Sequence, residues 1–94
     1  MGLTPEAQEP PGRHDTHGHF DRTAATVVAM YGAFERACGG KELPPSQKHA
    51  VYMICVKLAR IASGDNYEPD HWRDLVGYPS LVLNSLPHIP RPTE

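Results

Sequence analysis

The stretch PPSQKHAVYMICVKLARIASG, Pro44 to Gly64, decides how this chain reads. Pro44-Pro45 breaks any preceding element, and Pro45 suits the first turn of a helix, where its missing N–H has no partner to lose. From there Val51, Ile54, Cys55, Leu58, Ile61 and Ala62 fall three, four and seven apart, the spacing of one helical face. Gly64 ends the run. An amphipathic helix over residues 45–63 follows. It carries no carboxylate, yet it holds two cations, Lys57 and Arg60, at the border of its apolar stripe. Those cations call for a partner.

Working outward, two further helices are expected. Upstream, Ala24, Val27, Val28, Tyr31, Phe34 and Cys38 share a face. That helix runs from about Asp21, a plausible N-cap, to a stop at Gly39-Gly40. Downstream, Pro69 opens a third helix to about Leu86. Its stripe is Trp72, Leu75, Val76, Val82, Leu83 and Leu86, and Pro79 interrupts it with a kink or a break. The pattern contains no strand and no repeat. The expected architecture is all-α: a compact bundle of three to four helices over residues 19–86. A Pro/Gly/His-rich arm (1–18) and a Pro-rich tail (87–94) flank it.

Bulk properties bound the function. A chain of 94 residues is one domain with a modest core. Oligomerisation is therefore expected. A net charge of −2 argues against duplex nucleic acid and anionic membranes as partners. Cys38 and Cys55 fall on apolar stripes, where a reduced, inert thiol is expected. With no apolar leader and no membrane-length run, the expected location is the cytoplasm.

One constellation carries chemistry. Lys57 and Arg60 are neighbours on their helix, and Asp70, Asp74, Gly77, Tyr78 and Leu81 form a second row on the third helix. Antiparallel packing brings the rows together, and Asp74 then pairs with Arg60 or Lys57. The bland reading is a border salt bridge that sets helix register. The functional reading is a site for a phosphate or carboxylate, bound by Lys57 and Arg60 and oriented by Asp74. Tyr78 would offer a ring and a hydroxyl, and Gly77 room for close approach. A separate run, HDTHGH, presents His14, His17 and His19. His17 and His19 are the candidate ligands for zinc or nickel, against the bland reading of a solvated arm.

The pieces His17-Gly18-His19, Lys57-Leu58-Ala59-Arg60 (K-x-A-R) and Asp74 to Tyr78 (D-x-x-G-Y) resemble a family of short phage and prophage proteins of unknown function. The resemblance spans roughly residues 17 to 83. Two positions depart from it: His17 stands where a Tyr is usual, and Pro79 where a helix former is usual. The family's helical layout is also similar to the MazG-like, all-alpha nucleoside triphosphate pyrophosphohydrolases, which hold magnesium with E-x-x-E and E-x-x-D carboxylates on facing helices. That set is missing here. Asp21 and Glu35 stand alone on the first helix, and Asp65, Glu68, Asp70 and Asp74 lie in or before the third.

The resemblance implies a host-cell protein of phage origin. With the cations kept and the metal carboxylates absent, the expectation is a non-catalytic binding protein. Its partner is a nucleotide-like or phosphate ligand, sequestered, or a host protein, inhibited in a counter-defence role. The alternative is a divalent-metal pyrophosphohydrolase. The sequence names no cofactor.

Overall fold

The computed structural model describes residues 11–91, with side chains from residue 20 onward. Three α-helices follow in order: α1 (Pro11–Cys38), α2 (Pro45–Ser63) and α3 (Pro69–Ser85), closed by a 3-10 turn at Leu86–His88. The chain is all-α, as expected, and no strand occurs among the described residues. No helix is long and apolar enough to cross a membrane among those residues.

The ends follow local chemistry. α1 stops where Gly39 and Gly40 take φ of +58° and +90°, a region open to glycine and strained for other residues. α2 begins at Pro45 without a side-chain cap, and the Lys48 N–H donates to the Pro44 carbonyl at 3.0 Å. The Glu68 carboxylate caps α3 by accepting from the Asp70 N–H at 3.0 Å. Trp72 pins the preceding loop, its Nε1–H donating to the Asn66 carbonyl at 2.8 Å.

One expectation about the elements is corrected. α1 begins at Pro11, ten residues and so close to three turns upstream of the expected start at Asp21. Pro11 sits at a helix start, where it costs nothing, and no proline follows it within α1. At Pro79, where a kink or a break is expected, no break occurs: α3 continues through the proline as one helix. The first ten residues, the last three and the side chains of His14, His17 and His19 lie outside the described residues.

α2 is the middle of the fold. It packs against both α1 and α3, which make no contact with each other among the described residues. Both neighbours run antiparallel to it. On one flank Thr23 and Ser63 share a hydrogen bond of 2.8 Å, and the Tyr31 and Tyr52 rings meet edge to face at 5.4 Å. On the other, Lys57 meets Asp74 and His49 meets Tyr78. The three helices thus form a bundle opened into one layer, with principal extents of 59 × 28 × 15 Å.

This arrangement moves the core. The buried hydrophobic residues are Val27, Ala50, Cys55 and Ala59, with Met30, Tyr31, Val51 and Val56 packed around the α1–α2 contact. Small side chains on the flanks of α2 let its neighbours approach. The expected stripes do not bury as units. Val28 is 69% exposed on α1, and Leu58 on α2, Trp72, Val76 and Leu83 on α3 and Leu86 in the 3-10 turn are exposed. A middle helix in a layer contacts its neighbours along two opposite flanks, so a stripe lying between those flanks stays open.

Candidate functional site

Leu58 and Arg60 are two residues apart and so point about 200° apart around α2. This separates two sides of the layer. Val51, Ile54 and Leu58 mark an apolar side, while His49 and Arg60 mark a polar one.

Along the α2–α3 seam the expected rows do meet. Lys57 Nζ donates to Asp74 Oδ2 at 2.8 Å. The Lys57 side chain is 15% exposed and that of Asp74 41%, so the pair lies half inside the contact. Lys57, not Arg60, is the partner of Asp74. Arg60 is exposed and has no ion pair among the described residues. The register explains the choice: Lys57 falls on the flank of α2 that faces α3, and Arg60 lies three residues on, turned toward solvent.

Tyr78 is half-buried in the same seam, its ring edge-on to His49 at 6.4 Å. His49, itself exposed, borders this row. A Cβ built on Gly77 meets nothing within 4 Å, so open space lies beside that backbone. Asp70 does not join the row: it accepts from Arg73 on its own helix, both side chains exposed. The structure thus gathers Lys57, Asp74 and Tyr78 along one seam and sets Arg60 exposed at one end of it.

His71 on α3 is half-buried, and its Nδ1 is sealed from water with no hydrogen-bond partner among the described residues. Burial also pushes the Cys55 thiol above its ordinary range, which keeps it protonated and unreactive. Among the described residues no three His, Cys, Asp or Glu side chains come together to hold a metal ion.

The feature that sequence reading missed is on the apolar side. A groove of about 880 Å³ opens between Phe34 and Cys38 of α1, Val51 and Ile54 of α2, and Val82 of α3 with Leu86 of the 3-10 turn. Lys41, Glu42 and Arg91 stand among its lining. Its signal was in the stripes themselves, which sequence reading took for the core. No family model, no curated protein and no solved structure matches the chain.

Proposed function

We propose that this chain is a non-catalytic binding protein that takes an anionic ligand on the polar side of the α2–α3 seam. The observation that carries the reading is Arg60, an exposed guanidinium one turn from the Lys57–Asp74 pair. Asp74 neutralises Lys57 within the contact, which leaves Arg60 as the cation to take a phosphate or carboxylate, bidentately. Tyr78 and His49 supply ring edges along the seam, and the open space beside Gly77 admits a ligand close to backbone. The ligand class is a nucleotide-like phosphate, and a phage-encoded sequestering protein is the role that the sequence resemblance suggests for it.

Calorimetric titration of the folded chain with inorganic phosphate and a panel of mono-, di- and triphosphate nucleotides tests the reading. Binding by the wild type is expected, weakened at least tenfold by Arg60→Ala, with the circular dichroism spectrum unchanged. No heat with any of these anions overturns it, and so does equal binding by Arg60→Ala.

A further inference from the structure

The apolar side of the layer poses a separate problem. Trp72, Val76, Pro79, Leu83 and Leu86 succeed one another at spacings of four, three, four and three, the seam of a helix built to pack against another. Within the single chain that seam is open: Val76 is 68% exposed, Leu83 65% and Trp72 50%. Beside it run Val51, Ile54 and Leu58 of α2, at spacings of three and four, and the groove joins the two stripes over Pro79, Val82 and Leu83. The chain's most regular apolar patterning thus converges on one face and meets no other element there among the described residues.

Stable domains consist of two packed layers around a core, and this chain supplies one layer. Among the described residues its buried hydrophobic side chains are Val27, Ala50, Cys55 and Ala59, a small core.

We propose that the apolar face is covered by the same face of a second copy, in a two-fold dimer that pairs the α3 seams and closes the groove. Three observations select a second copy over another occupant. The missing layer is required for the core, so its occupant must be present whenever the chain is folded. The face to be covered is broad: Leu58 of α2, Trp72, Val76 and Leu83 of α3 and Leu86 just beyond it are 42–68% exposed beside the open groove. The rim holds both signs, Lys41 and Arg91 beside Glu42, as a face that meets itself across a two-fold axis needs for charge complementarity. The polar seam with Arg60 stays outside the interface, so the dimer does not depend on the ligand proposed above.

Sedimentation equilibrium of the full chain from low micromolar to submillimolar concentration tests this. The expected mass is twice the 10.4 kDa of one chain, with a thermal midpoint that rises with concentration. Val76→Glu and Leu83→Glu each raise the dimer dissociation constant at least tenfold, while Val28→Glu, on α1 and away from the groove lining, leaves it unchanged. Should either α3 variant fail to fold at low concentration, the concentration-dependent midpoint of the wild type decides alone. A cooperatively folded wild-type monomer at submillimolar concentration overturns the proposal. So does a dimer that both α3 variants leave intact. A monomer that takes up an apolar dye in its groove overturns it too, and points to a different occupant.

Discussion

The Lys57–Asp74 pair shows what one ion pair does at a helix border. The Lys57 ammonium is largely withdrawn from water, and Asp74 satisfies it at 2.8 Å while itself touching solvent. Such a pair adds little net stability, because desolvation offsets most of the attraction. Removing one partner is different, since the ammonium is then left without a counter-charge. Asp74→Ala is expected to cost about 1–3 kcal/mol, toward the low end because Asp74 is partly solvated. Lys57→Met, which keeps the stem and drops the charge, is expected to stay within about 1 kcal/mol of the wild type. Urea midpoints of the two variants and of the double variant measure the coupling. Equal costs for both single variants would count against this account.

At the scale of the element, α3 is the informative helix. Pro79 lies in its interior and cannot donate to the Leu75 carbonyl four residues back. The Ser80 hydroxyl bonds the next carbonyl, Val76, at 2.8 Å, and the helix continues. Proline costs about 3 kcal/mol relative to alanine in a helix interior. Pro79→Ala is therefore expected to raise stability by about 1–3 kcal/mol, read as a higher denaturant midpoint at unchanged slope. A lower midpoint would mean that the Pro79 ring, which lines the groove, contributes more there than it costs the helix.

At the scale of the molecule, α1 and α3 communicate only through α2 among the described residues. Ala59 is fully buried where Val27 and Cys55 converge, so its size sets how near α1 can lie. Ala59→Leu is expected to cost about 1–3 kcal/mol by overpacking, and more if α1 is forced off. Lys57, which holds Asp74 of α3, is two residues away on the opposite flank of the same helix, so a shift of α2 at Ala59 disturbs both contacts, and circular dichroism and near-ultraviolet signals are expected to fall together in a melt. An early, separate loss of the Tyr31–Tyr52 contact would show instead that α1 detaches as its own unit.

The sequence by itself determined the number and order of the helices, though not where α1 starts. Proline starts and glycine stops act within a few residues, so Pro45–Ser63 and the end of α1 at Cys38 were legible, as was the meeting of the Lys57 and Asp74 rows. Periodicity also marked the stripes on α2 and α3 correctly as apolar. What covers a stripe is a different matter, since it depends on which flanks of each helix the neighbours occupy. Only the tertiary structure decided that α2 lies between α1 and α3, that Lys57 rather than Arg60 pairs with Asp74, and that His71 turns inward. The reason is geometric: a helix has several faces, its sequence grades them by polarity, and packing chooses among them by fit. Here small residues such as Ala50 and Ala59 took the contacts, and the larger apolar stripes were left facing outward.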